Sequence, residues 1–171
     1  MSPLDDLQRA AHRATPYSAQ VPRSLQLRVD VHSTELTQLL RKHNVRTGAL
    51  LTAHDPGGRR QSAPRNQKAS ALLRARIEAL QLPFFPGQRK PEHCEQPQDG
   101  FLVLGITGGQ AEALMVEFEQ DALLWTPACG TPVLMLHPAA RRITTASDLR
   151  RVATARAKPT APGRGRAALA K

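Results

Sequence analysis

The stretch that decides the fold is Ala49-Leu50-Leu51-Thr52-Ala53-His54-Asp55-Pro56-Gly57-Gly58. Its first half is a short apolar run, typical of a strand that is covered on both faces and lies centrally in a sheet. Its second half is dense in turn-forming residues, and Ser62 with Pro64 close behind indicates the start of a helix. The sequence therefore predicts a buried strand that leads through a turn into a helix.

Periodic patterns on both sides extend this unit. Alternation predicts a strand at Leu25–Val31 and a helix from Ser33 or Thr34 to about Asn44, and helical spacing continues from Ser62 to about Gln81. The other predicted elements are a possible short strand at Phe84-Phe85 in a long loop, a strand at Phe101–Ile106, a helix capped by Thr107, and a hairpin of Ala122–Trp125 with Val133–Leu136.

The order of these elements predicts an α/β fold, a single layered domain with a mixed sheet of about five strands and three helices. We place this domain at residues 24–137. Residues 1–23 are expected to form an N-terminal arm with a short helical possibility, and residues 138–171 a basic, largely disordered tail.

Charge is divided unevenly between the domain and the tail. Of the 24 Lys and Arg residues and 14 Asp and Glu residues in the chain, residues 138–171 hold nine basic residues and one acidic residue. Such a segment could bind phosphates weakly and without sequence preference, but it is equally typical of a solubilising extension. The candidate nucleic-acid contacts are Arg141, Arg142, Arg150, Arg151, Arg156, Lys158, Arg164 and Arg166.

Composition also bears on location. The apolar runs are too short to cross a bilayer, and the N-terminus has acidic residues where a secretory signal would be apolar, so we expect a cytoplasmic protein. Two cysteines, Cys94 and Cys129, are too few for a disulfide framework. We predict no metal site, because His93, Cys94, Cys129 and His137 lack the spacing of a chelate, and we predict no cofactor.

The turn after the central strand is the first candidate site. Strand ends that lead into helices often receive ligands, so Thr52, His54, Asp55 and Asn66 could line a pocket, with Arg59 and Arg60 as further polar contacts. The same residues also fit an ordinary turn with no ligand. His54 and Asp55 could alternatively serve an enzyme as a general acid–base pair.

Two other places hold candidate residues. Gln120 precedes the strand that carries Trp125, and the two could line a pocket, although a lone Trp is more often core packing. The glycine-rich segment Gly105–Gly109 lacks the spacing of a nucleotide-binding loop, which favours an ordinary capped turn.

Several of these segments together resemble a family of small bacterial proteins, the domain-of-unknown-function family 3293. The resemblance covers about Leu25–His137. The segments that carry it are Thr52-Ala53-His54-Asp55-Pro56, Ser62, Asn66, Leu102–Ile106, Phe118–Ala122 and Trp125.

The resemblance implies no reaction or cofactor, but it does imply that Thr52, Asn66 and Gln120 belong to one polar cluster. The family's turn more often reads Thr-Ala-x-Asn-Pro, whereas this chain has Asp55. An ionised Asp only accepts hydrogen bonds, while Asn also donates them.

Three functions remain open from the sequence. The first is a domain that binds an unknown small molecule or protein. The second is a nucleic-acid-associated protein that acts through its basic tail, and the third is an enzyme with a polar site at residues 52–60.

Overall fold

The computed structural model describes residues 6–21, 24–91 and 96–139. Four helices and seven strands form in these residues. The helices are α1 (Asp6–Ala14), α2 (Thr34–Lys42), α3 (Ala63–Ala79) and α4 (Gly108–Glu117). The strands are β1 (Tyr17–Gln20), β2 (Ser24–Leu27), β3 (Gly48–Thr52), β4 (Phe84–Arg89), β5 (Gln98–Leu104), β6 (Ala122–Thr126) and β7 (Val133–Leu136).

The strands form one sheet in the order β2-β1-β4-β5-β3-β6-β7, and every neighbouring pair is antiparallel. The predicted mixed sheet of about five strands and three helices is therefore wrong in detail, although the α/β class is confirmed. Alternation of strands and helices suggested parallel neighbours. In this sheet, the two strands that crossover helix α3 or α4 connects are not neighbours. A third strand, antiparallel to both, lies between them.

The six elements from β3 to β6 follow the β-α-β-β-α-β order. Because β3 and β4 are both antiparallel to β5, they run parallel to each other with β5 between them. In the same way β5 and β6 run parallel on either side of β3. This is the split βαβ arrangement of ferredoxin-like domains.

Both faces of the sheet are covered, as the apolar run at 49–51 predicts. Leu73 and Ile77 of α3 pack with Ala111 and Met115 of α4 on the face that carries alternate β3 residues Ala49 and Leu51. On the opposite face, a second cluster joins Leu36 and Leu40 of α2 to Leu50, Leu102 and Leu104. The predicted central position of β3 is confirmed, since β5 and β6 flank it.

The predicted N-terminal arm contributes two elements, α1 and β1. Tyr17 and Ala19 of β1 are almost fully buried between β2 and β4. The first predicted strand is shorter than expected, because Asp30 adopts a left-handed backbone conformation and Val31 is exposed. The long loop after α3 is mostly strand: β4 extends the predicted pair Phe84-Phe85 to Arg89. No helix among residues 6–21, 24–91 and 96–139 combines the length and apolar character needed for a membrane span.

Candidate functional site

Several elements end or begin at one edge of the sheet and leave a cleft there. The strand registers bring together the end of β3 at Thr52, the end of β4 at Arg89 and the start of β5 at Gln98. Residues before β6, the first turn of α3 and one side of α1 complete the walls of the cleft, whose volume is about 820 Å³. The cleft therefore lies where the sequence placed its first candidate site.

Thr52 fixes the exit of β3. Its side chain is 5% exposed, and Oγ1 donates to the carbonyl oxygen of Asp99 at 2.9 Å and accepts from the backbone N–H of His54 at 3.2 Å. These two bonds tie the first residues after β3 to the neighbouring strand β5. Thr52 therefore holds the wall of the cleft in place.

Asp55 and Asn66 hold each other in a reciprocal pair. The Asp55 backbone N–H donates to Asn66 Oδ1, and Asn66 Nδ2 donates to Asp55 Oδ1, each at 3.0 Å. The backbone N–H of Gln61 also donates to Asp55 Oδ1 at 2.8 Å, and Gln98 Nε2 donates to Oδ2 at 3.1 Å. Every partner of this carboxylate is a donor, so the acceptor-only Asp55 fits a position where the family pattern more often has Asn.

These donors determine the ionisation of Asp55. Burial raises the pKa of this carboxyl group, but the hydrogen bonds from Asn66 and Gln61, with the charges of His54 and Arg89, outweigh burial and lower it. The carboxylate is therefore ionised at neutral pH. The described hydrogen bonds of the Asp55 carboxylate are with Gln61, Asn66 and Gln98, and none is with the His54 imidazole. The acid–base pairing of His54 and Asp55 therefore stays a prediction.

The Asp55 network extends to an arginine on β4. Gln98 uses its amide nitrogen on Asp55, and its Oε1 accepts from Arg89 Nε at 2.5 Å. The order along the cleft wall is therefore Asn66, Asp55, Gln98 and Arg89. This chain of bonds fixes the position of Arg89 relative to the turn after β3.

Gln120 attaches the same turn to the segment before β6. Its side chain is 4% exposed, and Nε2 donates to the carbonyl oxygens of His54 at 3.1 Å and Phe118 at 3.0 Å. Nearby, the Gly57 N–H donates to the Glu119 carbonyl oxygen at 2.7 Å, and Arg59 forms a salt bridge with Glu119 at 2.8 Å. The polar cluster of Thr52, Asn66 and Gln120 thus forms around the turn.

Trp125 lies apart from this cluster. It is partly buried against the α3–α4 side of the core, beside Met135, and it does not line the cleft. Of the six candidate ligand-binding residues, the structure brings Thr52, His54, Asp55, Asn66 and Gln120 together. Of these five, Thr52 does not line the cleft itself.

Two imidazoles face the cleft without internal partners. His54 follows β3 and His12 lies on α1, and neither side chain has a hydrogen bond to any residue that the structure describes. Burial lowers the pKa of His54, and the Asp99 and Asp55 charges only partly oppose it. Burial also lowers the pKa of His12, with a further decrease from Arg89 and an opposing increase from Asp121. Both imidazoles are therefore neutral at pH 7.

Two charged side chains in the cleft are also available. Arg60, just before α3, and Asp121, just before β6, make no side-chain hydrogen bond or ion pair within the described segments. Asp121 Oδ2 lies about 3.5 Å from the position a Cβ would take on Gly58, so the carboxylate borders the turn. The available groups thus include a cation, an anion and two imidazoles.

Sequence reasoning missed His12, Arg89 and Gln98. The predicted strand at 101–106 began after Gln98, and the predicted loop included Arg89. His12 carries no local signal, because α1 reaches the cleft only through the pairing of β1 with β4. Only the hydropathy of Tyr17 and Ala19 could have indicated that this segment joins the sheet.

The described residues contain no group of three or more His, Cys, Asp or Glu side chains that could hold a metal ion. Cys129 is a free, exposed thiol. His93, Cys94 and the basic residues Arg141, Arg142, Arg150, Arg151, Arg156, Lys158, Arg164 and Arg166 lie outside the described residues.

Comparison with known proteins gives a match to one family model and no function. Residues 51–123 match the model of a family described as "Protein of unknown function (DUF3293)". Comparisons with curated proteins and with solved structures gave no significant match. The matched segment begins in β3 and ends in β6, so it contains the turn after β3, Asn66 and Gln120, and the resemblance seen in the sequence is confirmed.

Proposed function

We propose that this protein of the DUF3293 family binds a small polar molecule in the cleft at the end of β3. His12, His54, Arg60 and Asp121 are the proposed contacts. Asp55, Asn66, Gln98 and Gln120 hold those contacts in position through their internal hydrogen bonds. The proposal thus separates the residues that meet the ligand from those that shape the site.

The observation that carries the proposal is the state of the two imidazoles. His12 and His54 are partly buried in the cleft wall, and neither imidazole bonds to any described residue. A neutral imidazole offers one N–H donor and one nitrogen acceptor. Both groups of each ring are therefore open to a ligand that replaces water in the cleft.

The shape and rigidity of the cleft also support binding. Its volume of about 820 Å³ lies within the range of small-molecule sites. The backbone of the turn after β3 is fixed by the side chains of Thr52, Asn66 and Gln120, all less than 9% exposed. A site that is already ordered loses less entropy when a ligand binds.

The proposal can be tested with the full-length protein purified without added ligand. Small molecules released by denaturation are identified by mass spectrometry for the wild type, His54→Gln and His12→Gln. We expect the two variants to lose a compound that the wild type retains, while their melting temperatures stay close to that of the wild type.

The matched control is His43→Gln. His43 contacts Phe85 edge to face at the end of α2 and does not line the cleft, so this variant should retain the compound. Equal retention by His54→Gln, His12→Gln and the wild type would contradict binding in this cleft.

A further inference from the structure

Each imidazole in the cleft lies in the field of one shared cation and of its own carboxylates. The positive charge of Arg89 on β4 acts on both histidines. Asp121 opposes it at His12, while Asp99 of β5 and the adjacent Asp55 oppose it at His54. Arg89, His12 and His54 also line the same cleft, so Arg89 is the common element of a cluster that spans α1, β4 and the turn after β3.

The charges that line the cleft do not favour an anion while the histidines are neutral. Among the described residues, the lining holds three carboxylates, Asp55, Asp99 and Asp121, against two guanidinium groups, Arg60 and Arg89. The hydrogen bonds to Asp55 disperse its charge but do not remove it. Two added protons would reverse the sign of the lining.

We propose that the ligand presents an oxyanion, a carboxylate or a phosphate-type group, to Arg89, His12 and His54, and that both imidazoles take up a proton as it binds. This inference rests on the proposed function and adds the chemical class of the ligand. His12 and His54 then donate to the anion through N–H groups, with Arg89 as the fixed charge.

The reason for proton uptake is the balance of fields at each ring. An anion beside Arg89 cancels the positive charge that disfavours the imidazolium form. The negative charges of Asp121 near His12 and of Asp99 near His54 remain, and these carboxylates favour the imidazolium form. Burial, the largest cause of the lowered pKa values, is not relieved by the ligand, but the anion itself also attracts the proton, so we expect the pKa of both imidazoles to rise when the site is filled.

The geometry gives Arg89 a fixed position for this role. The Nε–H of Arg89 donates to Gln98 Oε1, and the amide nitrogen of Gln98 donates to Asp55. Asp55 in turn accepts hydrogen bonds from Asn66 and from the backbone N–H of Gln61. Arginine presents several N–H donors in one plane, so binding one Nε–H to Gln98 leaves the planar group oriented. The Asp55 network thus serves to orient a cation as well as to close a turn.

The experiment follows the imidazole resonances of the full-length protein by NMR across about pH 5 to 8, a range that spans the ordinary histidine pKa. Sodium sulfate is the phosphate-type probe because sulfate does not titrate in this range, and sodium acetate is the carboxylate probe. Sodium chloride at equal ionic strength gives the reference. His32, His43 and His137, which do not line the cleft, are internal controls.

We expect one of the two probes to raise the pKa of His12 and His54 and to leave the three control histidines at their values in chloride. Reciprocity requires the affinity for that anion to fall as the pH rises, by up to about tenfold per pH unit for each proton taken up. A response to sulfate alone assigns a phosphate-type ligand, and a response to acetate alone assigns a carboxylate.

Variants separate the parts of the cluster. Arg89→Gln should abolish the response to the anion, while Arg65→Gln, on the exposed side of α3, should keep it. His12→Gln should roughly halve the steepness of the pH dependence, because one of the two protons is lost. This second variant keeps the test decisive if Arg89→Gln does not fold.

Two results would overturn the inference. One is that neither sulfate nor acetate moves His12 and His54 beyond the chloride reference, and the other is that all the observed histidines move together. If the compound retained by the purified protein still shifts the His12 and His54 resonances without a change in their pKa, the proposed function stands and only the anionic, proton-coupled character fails.

Discussion

Two of the strand-to-helix turns of this fold, after β3 and after β5, lie at opposite ends of the sheet and behave differently. The turn between β5 and α4 closes on itself: Thr107 Oγ1 accepts from the Gln110 N–H at 3.3 Å, and Gln110 Oε1 accepts from the Thr107 N–H at 2.9 Å. The turn between β3 and α3 is instead held by side chains from three other places in the chain, Asn66, Gln98 and Gln120.

The difference lies in which side chains satisfy the polar groups of each turn, and it explains why only the turn after β3 is a candidate site. A capping box satisfies two donors of the helix start locally and uses the Thr107 and Gln110 side chains to do so. At the turn after β3, distant side chains satisfy the backbone and the Asp55 carboxylate, so the His54 imidazole remains available in a cleft. The capped turn that the sequence favoured at Gly105–Gly109 is confirmed.

The largest expected effect distinguishes the glycines of the two turns. Gly105 has φ of +77°, and an added Cβ would lie 2.9 Å from Val45 Cγ1, whereas Gly58 has φ of +70° but meets only Asp121 Oδ2 at 3.5 Å. Gly105→Ala should lower the free energy of unfolding by about 2–4 kcal/mol through backbone strain and overpacking. Gly58→Ala should lower it by about 1 kcal/mol through strain alone. Chemical denaturation measures both, and equal losses would contradict this account.

A smaller effect compares the polar groups that hold each turn. Asn66→Ala removes both bonds to Asp55 and leaves the partly buried Asp55 N–H without its partner, so we expect a loss of about 1–3 kcal/mol in the free energy of unfolding. Thr107→Ala removes an exposed helix cap and should cost about 1 kcal/mol. If Asn66→Ala left stability unchanged and only reduced ligand retention, Asn66 would be a ligand contact and not a positioning residue.

The smallest effect concerns pH. His12 and His54 have pKa values below the ordinary 6.5 in the folded protein, so the unfolded chain binds protons first as the pH falls. The stability they contribute is complete above pH 6.5 and is lost as the pH falls from there through their folded pKa values. Asp55, whose pKa is below its ordinary 3.8, adds a second loss below that pH.

This pH dependence sharpens the same comparison. His54→Gln should flatten the slope of stability just below pH 6.5, and Asn66→Ala should weaken the loss below pH 3.8. Thr107→Ala should shift the whole curve by a constant amount, because its capping partners are uncharged. Thermal or urea unfolding at a series of pH values measures all three, and a slope unchanged in His54→Gln would show that this imidazole titrates normally.

The sequence by itself determined many of the local elements and the position of the candidate site. Apolar periodicity located β3, α3 and α4, and turn chemistry located Thr107 and the segment 52–60, because these signals act between residues close in the chain. The family resemblance, and not these local signals, implied that Thr52, Asn66 and Gln120 form one polar cluster.

Only the tertiary structure decided which groups a ligand can reach. Strand order depends on pairing between distant segments, so the sequence showed neither the antiparallel sheet nor β1, and without β1 it could not bring His12 to the cleft. The structure also reversed the emphasis among the predicted residues. Asp55, Asn66 and Gln120 line the cleft but bond to internal partners, whereas the side chains of His12, His54, Arg60 and Asp121 line it without a hydrogen bond to any described residue. Hydrogen-bond satisfaction is a property of the folded neighbourhood, which the sequence does not show.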